Sequence, residues 1–197
     1  MKLHQRIFGA LKNNINIQSG KDSDVNTKAQ MIVIIHGLFG QARNWFTVAQ
    51  KLNHQTNLPV HCLDLRNHGH SPKADAFTFD RIRDDIRDTL GGLSLDTVNV
   101  IGHSLGGRVI LDCLRNGFGF KSACIVDIGL RPLNNTTAIK YIDAMARVER
   151  EQLTGRPEIE ARLMELGVPD QAMARFLMTN LVKEADGHFT FKLLYLD

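Results

Sequence analysis

The sequence predicts an α/β fold with a doubly wound, mostly parallel sheet. Three observations support this prediction. Short apolar segments alternate with helical segments, two of the apolar segments end in glycine-rich turns, and the last third of the chain is helical. Such alternation is typical of parallel strands joined by crossover helices.

The first part of the chain supplies the strands. Residues 3–8 predict an opening strand, and the polar stretch 13–30, which lacks apolar periodicity, predicts a loop with ragged strand. The apolar run 31–35 predicts a buried parallel strand. Further along, we predict a helix over 45–53, a strand over 59–64, a helix over 80–90, a strand over 97–101, a helix over 105–115 and a strand over 122–127.

The sequence pattern changes at Asn134, from alternating strands and helices to helices alone. This divides the chain into a sheet-forming part, residues 1–133, and a helical part, residues 134–197. The helical part predicts three amphipathic helices with Met and Phe positions suited to burial or to an apolar pocket, over 136–152, 157–166 and 169–183. These helices either complete the core or form a separate cap, and the pattern alone leaves both open.

Residues 102–107, Gly-His-Ser-Leu-Gly-Gly, contain a Gly-x-Ser-x-Gly motif between a strand and a helix. This motif is a nucleophile elbow, in which a serine on a sharp turn projects its hydroxyl into a cleft. Ser104 is therefore the predicted nucleophile. The N–H group of Leu105 follows it at a helix N-terminus, where orphan donors favour a developing oxyanion.

The run 36–40, His-Gly-Leu-Phe-Gly, follows the first buried strand, and we call it the oxyanion loop. Leu38 has the position from which a backbone N–H supplies the second oxyanion contact. We expect His36, at the mouth of the strand, to brace this loop rather than to act as a base.

Several ordered motifs closely resemble the α/β-hydrolase superfamily, and within it the small bacterial esterase and acyl-thioesterase branch, whose mammalian relatives are mitochondrial abhydrolase-domain proteins. They are the oxyanion loop, Asn44-Trp45, the run 64–72, Asp84-Asp85, the elbow and Val126-Asp127-Ile128. The resemblance implies that residues 134–197 are a helical cap, or lid, inserted into a core that this chain does not complete.

A triad acid and base should follow the serine in this fold. Asp127 ends a predicted strand at the carboxyl edge of the sheet, and the resemblance implicates the matching Asp as the acid. An Asp that only caps the strand end is the alternative. The histidine is missing, because His188 alone follows Ser104 and lies in a segment resembling the end of the lid.

The resemblance thus implies a serine hydrolase acting on a small acyl ester or thioester, with Ser104 and Asp127 catalytic. The resemblance breaks off before its last third, so we expect a truncated chain to be nearly inactive and to self-associate through an exposed sheet edge. Two alternatives stay open: a non-catalytic remnant that binds a ligand or partner, and a cofactor-free haloperoxidase or lyase using the same triad.

The run 64–72, which we call the brace loop, contains Asp64, Arg66, His68 and His70. Two histidines two residues apart, without a further patterned ligand set, do not predict a metal site. We expect this loop to brace the site by hydrogen bonds and charge pairing. We expect Asp84 and Asp85 to serve solvation and loop anchoring. No metal and no cofactor is implied.

Composition limits the partners. The chain of 197 residues is 43% hydrophobic and 23% charged, with a net charge of +3 and no basic stripe, so we expect neither nucleic acid nor membrane as a partner. The N-terminus lacks a signal-peptide pattern, which favours a cytoplasmic protein. The odd number of cysteines, in apolar surroundings, predicts buried free thiols at Cys62, Cys113 and Cys124.

Overall fold

The structure is a computed structural model of the chain, and it describes residues 1–9, 30–129 and 136–192. Most of the predicted loop 13–30 and the predicted boundary at Asn134 lie outside the described residues. The strands and helices are β1 (Gln5–Phe8), β2 (Met31–Ile35), α1 (Phe46–Thr56), β3 (Val60–Leu63), α2 (Phe79–Leu90), β4 (Val98–His103), α3 (Leu105–Arg115), β5 (Ser122–Val126), α4 (Thr136–Arg150), α5 (Arg156–Glu165), α6 (Gln171–Leu177), β6 (Leu181–Lys183) and β7 (Phe189–Phe191).

The central sheet confirms the predicted fold class. Within the described residues its five strands have the order β1-β3-β2-β4-β5. The strand β1 pairs antiparallel with β3, whereas β3, β2, β4 and β5 run parallel to one another. Because parallel strands share one carboxyl edge, the residues that follow β2, β3, β4 and β5 meet there.

Helices cover the sheet on both faces. All five residues of β2 are buried. On one face Val33 packs in a cluster with Ile82 of α2 and Ile110 of α3. On the other face Ile34 packs in a cluster with Ala49 of α1. This alternation along one strand is what makes the sheet doubly wound, because neighbouring side chains point to opposite faces.

Residues 136–192 are the described part of the predicted cap, a division that stays a prediction, and we call them the cap; their side chains dominate one apolar cluster. Side chains from α4, α5 and α6 pack together there, among them Met145, Leu163 and Leu177. The cluster also takes in Phe39 of the oxyanion loop. The cap therefore contacts the sheet-forming part at the loop that follows β2. No helix among the described residues is long and apolar enough to cross a bilayer.

The helix predicted over 169–183 is wrong in its second half. The helix α6 ends at Leu177, a short 3-10 helix follows over Met178–Asn180, and the chain then enters β6. The strands β6 and β7 pair antiparallel across a turn in which Gly187 has a φ of +96°. The helical periodicity of the segment does not register this pairing, because the partner strand lies further along the chain.

The cysteine prediction is correct for two positions and wrong for the third. Cys62 and Cys113 are buried, and burial raises the pKa of each thiol to about 12. Cys124 is exposed because β5 is the last strand of the described sheet and its first three residues are uncovered. Self-association through this edge stays a prediction, which sedimentation of the purified chain would test.

Candidate active site

Ser104 lies at the point where β4 turns into α3. Its backbone has φ 49° and ψ −112°, a conformation that non-glycine residues rarely adopt and that costs on the order of 1–3 kcal/mol. The Ser104 N–H donates to the carbonyl of Val126 at 2.9 Å, and its own carbonyl accepts from Arg108 N–H. The turn is thus held between the next strand and the first turn of α3.

Close packing explains the glycines of the elbow. A Cβ built on Gly106 would lie 2.2 Å from the carbonyl oxygen of Ile35, and one built on Gly102 would lie 2.5 Å from the carbonyl oxygen of Gly106. The backbone of α3 therefore touches the end of β2 directly. These glycines therefore leave room for the neighbouring backbone as well as for the sharp turn at Ser104.

The oxyanion loop approaches the elbow just as closely. A Cβ built on Gly37 would lie 3.2 Å from the Cβ of Ser104 and 2.8 Å from His103 Nδ1. The loop turns back on itself, because Gly40 N–H donates to the Gly37 carbonyl at 3.0 Å. Leu38 lies within this turn, and Leu105 is the first residue of α3, whose N–H belongs to the orphan donors of a helix start.

His36 braces the oxyanion loop, in line with the expectation from the sequence. Its ring is completely buried; Nε2 accepts the N–H of Leu65 at 3.0 Å, and Nδ1 donates to the Gly37 carbonyl at 2.7 Å. Burial lowers the pKa of this imidazole to about 3, with a smaller contribution from neighbouring His68. The ring is neutral and committed to structure on both nitrogens.

His68 plays a parallel role from the brace loop. Its Nε2 accepts the N–H of Phe39 at 3.3 Å, and its Nδ1 donates to the Arg66 carbonyl at 2.9 Å. The pKa of His68 is lowered, chiefly because burial disfavours the charged ring. Phe39 itself has a φ of 63°. A strained residue of the oxyanion loop is therefore held by a second buried imidazole.

The brace loop is anchored by a buried ion pair. Arg66 Nε donates to Asp85 Oδ2 at 2.6 Å and Arg66 Nη2 donates to Asp85 Oδ1 at 2.8 Å, with both side chains almost fully buried. The expectation that this loop braces the site by charge pairing is confirmed. Asp85, expected to anchor the loop, does so from the interior of α2, whereas Asp84 pairs with Arg87 near the surface.

Asp127 directly follows β5, next to the elbow. Its backbone has a φ of 55°, its side chain is 82% exposed, and its carboxylate lies 3.5 Å from His103 Nε2. The parallel register pairs His103 with Val126, so Asp127 and Ser104 leave adjacent strands at the same edge. The position suits a triad acid, and the role remains a prediction.

His188 is placed away from such a role. It lies in the hairpin between β6 and β7 of the cap, where its Nδ1 contacts the carboxylate of Asp186. Among the described residues, no hydrogen bond joins the Ser104 hydroxyl to an imidazole. The structure thus brings together Ser104, Leu38, Leu105 and Asp127, and within the described parts of the chain no imidazole bonds to the serine hydroxyl.

A cavity of about 260 Å³ opens beside the elbow. Residues from four regions line it: Gly37, Gly40, Trp45, Val48, His103 and Phe176. Its wall is mostly apolar, and the indole of Trp45 lies 6.0 Å from the imidazole of His103, measured between ring centroids. Trp45, Val48 and Phe176 were not predicted as site residues. The Phe positions of the cap were the signal for such a pocket, without indicating which one contributes.

The cap holds the oxyanion loop and the residue after it from the other side. Asn180 Nδ2 donates to the Phe39 carbonyl at 2.8 Å, and Gln41 Nε2 donates to the Thr179 carbonyl at 2.8 Å. Asn180 is 2% exposed, and its Oδ1 has no hydrogen-bond partner among the described residues. This side of the loop therefore carries one unsatisfied buried acceptor.

The chain is similar to proteins of one family. Residues 30–114 match the family model described as alpha/beta hydrolase fold. Over 168 residues the chain is 32% identical to the sn-1-specific diacylglycerol lipase ABHD11 of Danio rerio, covering 82% of this chain and 52% of that protein. Over 165 residues it is 29% identical to ethanol acetyltransferase 1 of Cyberlindnera fabianii, covering 80% and 49%. The chain spans about half the length of these relatives.

Solved structures show the same architecture. A marine microorganism esterase matches with a TM-score of 0.77 at 27% identity, covering 98% of this chain and 68% of that one. The thioesterase domain from the curacin biosynthetic pathway matches with a TM-score of 0.61 at 15% identity, covering 97% and 65%. At that lower identity the likeness concerns the fold alone.

Proposed function

Because the chain belongs to the α/β-hydrolase superfamily and is related to abhydrolase-domain proteins, we propose that it is a serine hydrolase of the esterase or thioesterase type. One relative is named for a lipase activity on a diacylglycerol and another for acetyl transfer to ethanol. Acyl transfer is the chemistry that both names share. The proposed substrate is a small acyl ester or thioester.

The carrying observation is the contact between the oxyanion loop and the elbow, where a Cβ on Gly37 would lie 3.2 Å from the Cβ of Ser104. In the proposed reaction the Ser104 oxygen attacks the acyl carbonyl, and the carbonyl oxygen becomes negative. The N–H groups of Leu38 and Leu105 donate to that oxygen, which is worth on the order of 3–4 kcal/mol per donor in such sites. An imidazole base takes the Ser104 proton and returns it to the alcohol or thiol as this leaves; water then attacks the acyl-serine, and the acid product leaves with the serine restored.

Asp127 is the proposed acid that orients the imidazole base. Its carboxylate is open to solvent on the edge of the sheet where Ser104 also lies, so an imidazole placed between the two could bond to both. The acid fixes the tautomer of that imidazole and stabilises the imidazolium that forms.

We propose that the base is an imidazole that these 197 residues do not supply. His36 and His68 each use both ring nitrogens for the backbone, and His188 contacts Asp186 in the cap hairpin. His103 precedes the serine on β4 and packs against Gly37. Without a base a serine hydroxyl is a weak nucleophile at neutral pH, so we expect the chain alone to hydrolyse short p-nitrophenyl esters at no measurable rate.

A non-catalytic binding module is the second candidate. The observation that favours it is the absence, among the described residues, of an imidazole bonded to Ser104. The two candidates differ in what an added C-terminal segment does: a relative's segment bearing a histidine, fused after Asp197, restores ester hydrolysis in an enzyme and leaves a binding module inactive.

The test of the nucleophile uses this fusion. Treatment with a fluorophosphonate should add one label, detected by intact mass. Ser104→Ala should remove the label, and the matched control Ser94→Ala, at an exposed loop position, should keep it. Labelling that persists in Ser104→Ala would contradict the assignment of the nucleophile.

A further inference from the structure

A cluster of metal-ligating side chains lies outside the site described above. It consists of His4, just before β1, and of Asp64 and His70 from the brace loop. One ligand atom from each residue lies within 4.8 Å of the other two. In the sequence only the two histidines of the brace loop lie close together. The fold adds His4, because β1 pairs antiparallel with β3 and the brace loop begins directly after β3.

The carboxylate at the centre of this cluster is held in place. Asp64 is 1% exposed, and its Oδ1 accepts the N–H of Ala42 at 2.6 Å. Its Oδ2 accepts the N–H of His70 at 3.0 Å and bonds His4 Nδ1 at 2.9 Å. A Cβ on Gly69 would lie 2.3 Å from this carboxylate, so the loop backbone wraps closely around it. A fixed carboxylate of this kind needs little reorganisation to accept a cation.

The two imidazoles approach the same carboxylate oxygen from the solvent side. Asp64 Oδ2 lies 2.9 Å from His4 Nδ1 and 3.8 Å from His70 Nδ1, and the ring centroids are 5.0 Å apart. Zinc bonds of about 2.0–2.2 Å place neighbouring ligand atoms of a tetrahedral ion roughly 3.3 Å apart. The two measured distances to Asp64 Oδ2 lie on either side of that spacing.

From this geometry we propose that His4, Asp64 and His70 form a binding site for a divalent transition-metal ion such as zinc. Two imidazole nitrogens and one carboxylate oxygen are the donor set of borderline ions, and calcium or magnesium would require more oxygen ligands. The side chains of His4 and His70 are 39% and 62% exposed, so water can complete the coordination. The ion would tie the segment before β1 to the brace loop.

A simple hydrogen-bonded brace is the competing explanation, because His4 alone can donate to Asp64. In that brace the ring of His70 packs against the ring of His4, at 5.0 Å between centroids, and makes no hydrogen bond to the carboxylate. His70 Nδ1 lies 3.8 Å from the same oxygen, too far for a hydrogen bond. In a metal site both rings are ligands, so removing either ring should weaken zinc binding. In a hydrogen-bonded brace only the ring of His4 bonds to the carboxylate, and no zinc binding is expected.

Isothermal titration of the untagged, chelator-treated chain with zinc chloride tests the proposal. We expect one tight equivalent for the parent chain. His4→Ala and His70→Ala should each weaken the dissociation constant at least tenfold, and the control His54→Ala, at an exposed position on α1, should leave it unchanged. Urea unfolding without metal checks that each variant is folded, and at equal zinc concentration the midpoint should rise more for the parent and for His54→Ala than for His4→Ala and His70→Ala.

Two results would overturn the proposal. One is a parent chain that binds no zinc. The other is zinc binding retained within threefold in either His4→Ala or His70→Ala, which would place the ion elsewhere. Because this site is separate from Ser104, the outcome is independent of the proposed hydrolase activity.

Discussion

The oxyanion loop and Asp127 lie at the same edge of the sheet, yet they are held in very different ways. The loop is fixed by the buried rings of His36 and His68 and by Asn180 of the cap. The Asp127 side chain is 82% exposed, and its nearest ion-pair partner is 3.5 Å away. The proposed oxyanion loop is thus held by buried hydrogen bonds, whereas the carboxylate of Asp127, the proposed acid, is open to solvent.

The largest expected effect concerns Asp127, in the fusion that supplies an imidazole. We expect Asp127→Asn to lower kcat for a p-nitrophenyl ester by on the order of a thousandfold or more, because the imidazole loses control of its tautomer. The urea midpoint should hardly change, because this side chain is largely exposed. Near-normal turnover of the Asn variant would place the acid on another strand.

The second prediction concerns the anchor of the brace loop. Arg66→Leu removes the guanidinium from the buried Asp85 and leaves it the Met1 ammonium at 2.8 Å, so the loss in the free energy of unfolding should lie toward the lower end of the about 3–5 kcal/mol that breaking a buried pair costs. The control is Arg87→Leu, which removes a surface pair with Asp84 and should cost less than about 1 kcal/mol. Urea denaturation of both variants measures the difference. Equal losses would show that burial does not distinguish the two pairs.

The third prediction is a pH dependence caused by His36. Its pKa is about 3 in the folded chain and near 6.5 when unfolded, so between these values the unfolded chain binds a proton that the folded chain does not. The stability therefore falls as the pH falls below about 6.5, by about 1.4 kcal/mol per pH unit.

Urea midpoints at pH 7.5 and 5.5 measure this effect. His36→Asn, which keeps a donor and an acceptor, should lower the slope, and His54→Ala, changed at an exposed position, should leave it as in the parent. The same slope in His36→Asn and in the parent would remove His36 from the explanation.

The smallest effect is expected where the cap meets the oxyanion loop. Asn180→Leu loses donors to the carbonyls of Phe39 and Leu177, but it also removes the unpartnered Oδ1. Each carbonyl that loses its donor costs about 1–3 kcal/mol if it finds no other partner, and removal of the orphan Oδ1 returns about 1–3 kcal/mol, so the net loss of stability should be on the order of 1 kcal/mol. If Asn180→Leu lowers the urea midpoint as much as Arg66→Leu does, the contact from the cap contributes as much to stability as the Arg66–Asp85 pair.

Local patterns predicted most of the sheet-forming part. The strand Met31–Ile35 and the helix Leu105–Arg115 match their predicted bounds because each lies between clear signals, an apolar run before glycine and an elbow before a helix. The end of the third cap helix was not predictable in this way. The hairpin of β6 and β7 depends on pairing between segments, which helical periodicity does not record.

The residues of the candidate site likewise fall into those that local motifs predict and those that depend on contacts between distant segments. Ser104, Leu38 and Leu105 belong to local motifs, and their mutual approach follows from parallel strands that share an edge. The contributions of Asn180 and Phe176 come from the cap and depend on how it docks. The exposure of Cys124 likewise depends on which strand lies at the edge of the sheet, and apolar neighbours along the sequence do not reveal this.

The close backbone contacts around the elbow also bear on how mutational scans of this chain should be interpreted. At Gly102 and Gly106 a single added carbon would meet a neighbouring backbone oxygen at 2.5 Å or less. Alanine at either position should therefore be rejected in a screen for folding alone, with no substrate present. Loss of folding on substitution of these glycines identifies close packing and says nothing about catalysis. A residue has a chemical role only if, like Ser104 in the proposed reaction, its replacement by alanine leaves the fold intact and abolishes labelling.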